Sequence, residues 1–380
     1  MIDESLKKLQ NYIEKENYKG YDPYDALKSP LFNLPFFRTN KLLRFGTQQL
    51  VKRLPFSIRP FLFVPKGYNP VTLGLSIQAY TYLYIAEPKL KNQYLKKIDF
   101  LVNELKKLIP IGFSGACWGY DFDWEARNAK IQAYKPTVVA TGIITNALFL
   151  AHQITGHVES SKLVESAALF VVNDLRRSYK KNTFCFSYSP FDNQKVFNAS
   201  LKGARLLIQA YSINKDSNYK KLAKQAISFV ISEQKEDGSW AYSLANGGGW
   251  IDNYHTGYVL DCIDEFQKIT QDFSYSYNIK KGYNFYVNNF INEKGAPKFY
   301  HNNSYPVDCT AASQTILTTI RFGDLAIAKN VASYLIDNLQ KSNGSFKFRK
   351  FKNYTITTSF MRWSDAWMFA AFSNLKKNLI

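Results

Sequence analysis

One pattern recurs six times along these 380 residues and limits what they can fold into. A loop bearing Gly or Pro, then aromatics, then a polar residue opens a strongly apolar run. The loops are RPFLFVPKGYNP (59–70), GFSGACWGYDFDW (112–124), FCFSYSPFDN (184–193), GSWAYSLANGGGWIDN (238–253), GAPKFYHNNSYPVD (295–308) and GSFKFRKFKNYTITTSF (344–360). Their starts lie roughly 40–75 residues apart, room for one helix out, one helix back and a long loop. Runs such as 70–86, 136–156, 198–213 and 360–375 are apolar around most of their circumference, as a buried helix must be. Between them, 94–109, 218–234 and 324–340 each carry one charged stripe and read as half-solvated partners. This alternation predicts two concentric rings, an all-α (α/α)6 toroid of about twelve helices whose loops collect at one end. FKFRKF and KFY alternate over short spans, so small β-ribbons are expected in those loops. Residues 1–58 are less regular. They should supply an outer helix and a covering segment, with the toroid over 59–380 and one structural domain overall.

Two motifs carry a resemblance. Gln234-Lys-Glu-Asp-Gly238-Ser-Trp240 resembles the Gln-x-x-x-Gly-x-Trp repeat of the terpenoid cyclase and prenyltransferase branch of the α/α-toroid superfamily. Gln340-Lys-Ser-Asn-Gly344-Ser-Phe346 is a second copy with Phe for Trp. The motif's physical job reads as local: Gln at a helix end, Gly for the turn, the aromatic over the next helix start. It marks a fold, and the same toroid serves six-hairpin glycosidases, polysaccharide lyases and sugar epimerases, so it does not select the chemistry. The strings YDPYDAL (21–27), CWGYDFDW (117–124), PTVVATG (136–142), WIDNYHTGYVLDC (250–262) and MRWSDAWM (361–368) resemble uncharacterised proteins that accompany bacterial polysaccharide biosynthesis. That likeness implies a setting in surface-glycan production.

The net charge of +19 favours an acidic partner: an anionic oligosaccharide or polysaccharide, a diphosphate-bearing lipid or an anionic membrane face. Helices simply solvated by Lys would give the same number. The basic residues are scattered and no nucleic-acid-binding motif is visible, so no nucleic acid is expected. With 26 Tyr and 29 Phe, a surplus of aromatics is available to line a groove for sugars or a carbocation. Cys117, Cys185, Cys262 and Cys309 lack metal spacing and read as free thiols in a reducing compartment. The N-terminus is polar and amphipathic, unlike a signal peptide. The apolar run 136–151 contains Thr and Asn and reads as a buried helix. The cytoplasm is therefore expected, with a peripheral place on the inner membrane face or in membrane-associated assembly machinery as the variant the charge favours. His152, His157 and His301 stand alone, and no phosphate loop, dinucleotide fingerprint or GxSxG occurs, so no metal and no cofactor is expected.

Four clusters carry the candidate chemistry. The second loop holds Trp118, Tyr120, Asp121, Asp123, Trp124 and Arg127. Its two carboxylates could form an acid/base pair with aromatics stacking on sugar faces; alternatively Asp123 caps a turn and pairs with Arg127. After Gly247-Gly248-Gly249 come Trp250, Asp252, Asn253, Tyr254 and His255. If Asp252 or Asn253 caps the next helix, His255 falls in its first turn, where the dipole favours the neutral base, and Tyr254 offers a second proton carrier. The plainer alternative is a capped helix start with a buried His. The third cluster is Tyr305 and Asp308. Asp308-Cys309-Thr310-Ala311 resembles the catalytic acid motif of one cyclase branch, with Ala312 where that motif has Glu; an N-cap role for Asp308 is the alternative. In the fourth, Arg362, Trp363, Asp365 and Trp367, Arg362 either clamps a carboxylate or phosphate or pairs with Asp365. Tyr188 and Asn198 could line the same mouth.

These features point to a carbohydrate-active enzyme on an anionic glycan. A hydrolase would draw two carboxylates from Asp123, Asp252 and Asp308. A lyase or epimerase would use His255 or Tyr254 to remove a proton beside a uronic carboxylate neutralised by Arg127 or Arg362. The alternatives are a terpenoid cyclase- or prenyltransferase-like enzyme, with Asp308 or Asp123 as proton donor, and a non-catalytic glycan-binding toroid. Because all six loops of a ring emerge at one end, Asp123, Asp252, His255 and Asp308 are expected to share one cavity.

Overall fold

The polar residue that closes each long loop is, in four cases, the cap of the helix it opens. The computed structural model describes residues 1–125, 130–292 and 294–380, so Arg127 lies outside the described residues. Asn69, Thr137, Asp252 and Asp308 each accept a first-turn backbone N–H at 3.0–3.1 Å. That satisfies one of the donors a helix start leaves unpaired. In chain order the helices are α1 (Ile2–Lys15), α2 (Pro35–Thr39), α3 (Lys41–Arg53), α4 (Pro70–Ala86) and α5 (Lys91–Lys107). Then come α6 (Val138–Thr155) with α7 (Val158–Asn173), α8 (Phe197–Asn214) with α9 (Ser217–Ile231), and α10 (Asn253–Thr270) with α11 (Ser276–Phe290). The chain ends with α12 (Cys309–Arg321), α13 (Leu325–Leu339) and α14 (Trp367–Lys377), the last preceded by a π-helical turn over Met361–Ala366.

The apolar helices α4, α6, α8, α10, α12 and α14 form the inner ring, each packed on the next and α14 closing on α4. The amphipathic helices α5, α7, α9, α11 and α13 each pack outside the inner helix they follow, and α1 fills the last outer place against α13 and α14. The first and last helices of the chain thus close the ring, as the alternating sequence pattern required. Inner helices approach closely: a Cβ on Gly142 would lie 2.8 Å from Cβ of Lys202, so only glycine fits there. Helix α6 is long and apolar enough to cross a membrane, but it sits in the inner ring between α4 and α8.

The Gln-x-x-x-Gly motifs reach further than their sequence suggested. Nε2 of Gln234 donates to the carbonyl of Gly238 (2.9 Å), which is the local bond, and also to Asn278 in α11 (3.0 Å). Gln340 likewise bonds Gly344 and, at 3.1 Å, the carbonyl of Ser5 in α1. Each copy therefore ties one outer helix to the next. Trp240 lies beside the first turns of α8 and α10, its Nε1 returns to Val230 and its ring lies under Gly282 of α11.

Short connections turn inner helices into outer ones, while all the long loops lie at the opposite end. The ribbons are confined to that loop end. Strand β1 (Trp124–Glu125) pairs with β2 (Lys130–Ile131), and β3 (Arg177–Lys180) with β4 (Thr183–Phe186). A three-stranded patch joins β5 (Val307–Asp308), β6 (Arg349–Lys350) and β7 (Thr355–Ile356), its register setting Asp308 opposite Arg349.

Candidate functional site

Residues 16–69, including α2 and α3, form a cover held to the loop end by charge. The segment begins and ends at a two-bond bridge between Gly20 and Gly67. Arg362, opening the turn before α14, grips Asp22 with Nε and Nη2 at 2.6 and 3.0 Å. Within the cover Arg59 holds Asp25 (2.6 Å); across to the loops Lys28 holds Asp121 (2.8 Å), and Arg44 in α3 reaches both Asp123 (2.9 Å) and Glu125 (3.1 Å). Most of these groups are buried, where an ion pair needs such complete bonding to be tolerated.

Beside this cover lies an aromatic crevice. Its inner wall is the first turn of α10. Asp252 accepts the backbone N–H of His255 with Oδ1 and meets the ring Nδ1 with Oδ2 at 2.6 Å. Trp250 Nε1 donates to the same Oδ2 (2.9 Å). An Asp oxygen at Nδ1 puts the proton there and leaves Nε2 as the free lone pair, the arrangement of a positioned general base. Nε2 has no partner among the described residues, and the side chain keeps 19% exposure. The imidazole is flanked by Tyr242 and Tyr254, ring centroids 4.6 and 4.1 Å away. Trp250, 40% exposed, stacks on Tyr242 at 4.3 Å and offers a flat face at the rim. Asn198, Asp252 and His255 border a cavity of about 10 Å³, room for one water, and Asn198 Oδ1 has no partner among the described residues.

The other wall comes from the cover. Tyr24 packs on Phe122, Trp124 and Trp363 (6.0–6.5 Å), and Trp363 in turn meets Tyr254 (5.9 Å). Lys52 Nζ donates to Tyr24 Oη at 2.6 Å. Burial raises the Tyr24 phenol, but the charges of Lys52, Arg349 and Arg362 outweigh it and bring the group below the ordinary phenol value. Tyr254 is the reverse: burial, then the Asp252 carboxylate, push it far up. Of the two, Tyr24 is the phenol able to exchange a proton. Tyr24, Lys52 and Arg349 were not among the sequence candidates. The only sequence signal for Tyr24 was its place in YDPYDAL.

Several candidates sit elsewhere. Trp118 is fully buried with Nε1 bonded to the Leu105 carbonyl, a core anchor that no sugar can reach. Asp121 is consumed by Lys28 and Asn69. Asn253 faces away from the crevice and joins Tyr286 and Thr315 in a buried network between helices. Asp308 is the N-cap of α12, sealed beneath Arg349 and Trp363. Asp123 lies under α3, so the expected four-residue cavity is not formed: Asp252 and His255 face the crevice, while Asp123 and Asp308 are occupied in ion pairs. Arg362 neither pairs with Asp365 nor stands free, because Asp22 takes its fork; Tyr120 covers its guanidinium at 4.7 Å. Asp365 instead accepts the Phe346 N–H at 2.8 Å. Tyr305 is exposed and makes no ring contact with the crevice aromatics among the described residues. Tyr188 lies beside Trp124 (6.3 Å), within the aromatic wall.

No family model and no curated protein sequence matches the chain. Solved structures do. Cellobiose 2-epimerase from Bacillus thermoamylovorans B4167 superposes with a TM-score of 0.62 at 12% identity, over 84% of this chain and 90% of that one. A GH76 α-mannanase of Bacteroides thetaiotaomicron gives 0.56 at 15% identity, over 81% and 87%. A possible GH105 member from Salmonella enterica gives 0.58 at 12%, over 83% and 84%. At such identities the likeness is one of fold, and by fold this chain is an (α/α)6 toroid.

Proposed function

We propose that this protein is a carbohydrate-active enzyme that moves a proton at a sugar carbon, as an epimerase or lyase, on an anionic glycan of bacterial surface-polysaccharide production. One observation carries it: His255 is oriented by Asp252 and keeps Nε2 without a partner among the described residues, partly exposed amid aromatic rings. Nε2 removes the proton beside a carbonyl or carboxylate. Tyr24, its phenol eased by Lys52, returns a proton to the opposite face or to a departing oxygen. Lys52 and Arg349 bring positive charge to the same space, which suits a uronic carboxylate. Trp250 and Tyr242 suit a sugar face. A groove of about 950 Å³ along Lys135, Phe191, Lys195 and Leu244 gives room for a longer chain. Hydrolysis by a carboxylate pair is the weaker reading, since Asp123 and Asp308 already serve Arg44 and Arg349. Reaction in D2O with reducing disaccharides and uronate-containing oligosaccharides tests it. Deuterium at a sugar carbon, or ultraviolet absorbance from an unsaturated uronide, is expected. New reducing ends with neither signal would make the protein a hydrolase.

We infer further that it works against an anionic membrane surface. Helix α3 is partly turned inside out: Arg44 and Gln48 face inward to polar partners beside Val51, while Leu42 (82% exposed) and Leu50 (60%) face out. Phe36, Phe56, Phe61 and Phe63 are exposed in the same segment. From Ala26 to Ala86 there is no Asp or Glu, and Arg38 and Arg53 are exposed. Apolar wedges in a segment whose own charges are all positive fit anionic lipid headgroups, whereas a second copy would meet like charge. Sedimentation with phosphatidylglycerol vesicles should retain the protein, and a Leu42→Gln, Leu50→Gln variant should bind at least tenfold less. Equal binding by both proteins, or none by the parent, would overturn this.

A further inference from the structure

The inner ring encloses a second cavity, of about 360 Å³, between the C-terminal halves of the inner helices and away from the cover. Small-molecule sites run from roughly 300 to 1,000 Å³. Its acids are all engaged. Asp261 accepts from Gln314 (2.7 Å) and Thr318 (3.0 Å). Asp264 and Glu265 share Arg321 at 2.8 and 2.9 Å, Lys268 pairs with Asp264, and Gln209 donates to Glu265.

Two of its cations are not. Lys202, almost wholly buried, has neither hydrogen bond nor ion pair among the described residues; its ammonium only lies 3.5 Å over the Tyr258 ring. Arg205, one turn on, gives a single bond to the Gly142 carbonyl (3.2 Å), and its buried Nε has no partner among the described residues. Asp261 and Glu265 reach these cations only through space, and a buried cation without a hydrogen-bonded counter-charge is unfavourable, so a ligand that supplies one recovers part of that cost. Burial, reinforced by Arg205, pushes Lys202 down to about 7, the response of a group short of a partner.

We propose that this cavity is a binding site for a small oxyanion, a sulfate- or phosphate-type group free or carried on a sugar, held between Lys202 and the Arg205 guanidinium. Arg205 supplies a planar fork and Lys202 a point charge, a common division of labour at such groups. In the polar walls, Asn146 and Gln78, whose Nε2 gives one bond to Tyr82 (3.1 Å), leave donors for whatever carries the anion. Tyr258 separates this cavity from the His255 crevice, its ring 6.2 Å from the imidazole, so the two sites share one wall.

Calorimetric titration of the full chain with sodium sulfate tests the site without any substrate. One saturable site per chain is expected. Arg205→Gln and Lys202→Met should each weaken it at least tenfold. Removing an unpaired buried charge does not harm a fold, so without sulfate Lys202→Met should melt at or above the parent temperature. No saturable heat in the parent, unchanged affinity in both variants, or a Lys202→Met protein that melts well below the parent would overturn the site. A hexose phosphate that binds tighter than sulfate identifies a sugar-borne anion; equal binding identifies the free ion, and both uphold the site.

Discussion

The two ends of the ring dispose of charge in opposite ways. At the loop end the principal cations of the cover and loops have acids: Arg362 with Asp22, Arg59 with Asp25, Arg44 with Asp123 and Glu125, Arg349 with Asp308. What remains there is Nε2 of His255, without a partner among the described residues, and Lys52, which has the Tyr24 hydroxyl in place of an acid. At the other end Arg321 and Lys268 gather the acids, and Lys202 and Arg205 form no ion pair among the described residues. The difference teaches that chemistry is found among the groups left after pairing. Four carboxylates in promising loops count for little once their partners are known, and two cations in an apolar helix count for more.

The comparison breaks most visibly at Arg362. Arg362→Met leaves Asp22 buried without its fork, and losing one partner of a buried pair costs about 3–5 kcal/mol. Urea unfolding should show that loss, and limited proteolysis should cut first within 16–69. A variant of near-parent stability would mean that Arg362 is free to clamp a substrate carboxylate after all.

His255→Ala is the next largest effect, and it falls on rate. Losing a positioned base costs roughly 100-fold or more. Stability should change by less than about 1.5 kcal/mol, because a partly exposed helix-start side chain gives up few packing contacts. Asp252 keeps its bonds to Trp250 and to the backbone of residue 255. Deuterium incorporation and thermal melting measured on the same sample separate the two. An early melt with unchanged specific rate would make His255 a structural residue.

The ring was legible because helix periodicity and end signals are local. Asp252 announced itself as a cap three residues before the N–H it accepts. The fate of each charged side chain was not legible, since its partner arrives from far along the chain. Asp123 meets Arg44 from 79 positions away, Asp308 meets Arg349 from 41, and Arg362 meets Asp22 from 340. Tyr24 had no local signal for a site, because the rings around it come from two other loops. Lys202 and Arg205 passed as part of an apolar stretch, 198–213; two bases one turn apart in an otherwise buried helix were the sign to read.

The smallest effect, read per pH unit, compares both ends in one experiment. Burial pushes Asp365, beside the loop end, up from 3.8 to about 7, and pushes Lys202 down from 10.5 to about 7. Between about pH 4 and 7 the folded chain keeps the Asp365 proton that the unfolded chain has released, so this group makes stability fall as pH rises. Between about pH 7 and 10 the unfolded chain keeps the Lys202 proton that the folded chain has lost, so that group makes stability rise with pH. Each slope is at most about 1.4 kcal/mol per pH unit. Other groups titrate over the same range, Asp25 at about 6 among them, so differences from the parent are the quantity to follow. Asp365→Asn should gain on the parent steadily from pH 4 to 7 and hold its lead above that. Lys202→Met should lead the parent by a constant margin below pH 7 and lose that lead towards pH 9.5. Adding sulfate at pH 6.5 should shrink the Lys202→Met lead, because the anion stabilises only the parent, and should leave the Asp365→Asn lead unchanged. If sulfate moves both leads equally, it acts on the whole chain through ionic strength, and the two ends do not differ in the way their charges suggest.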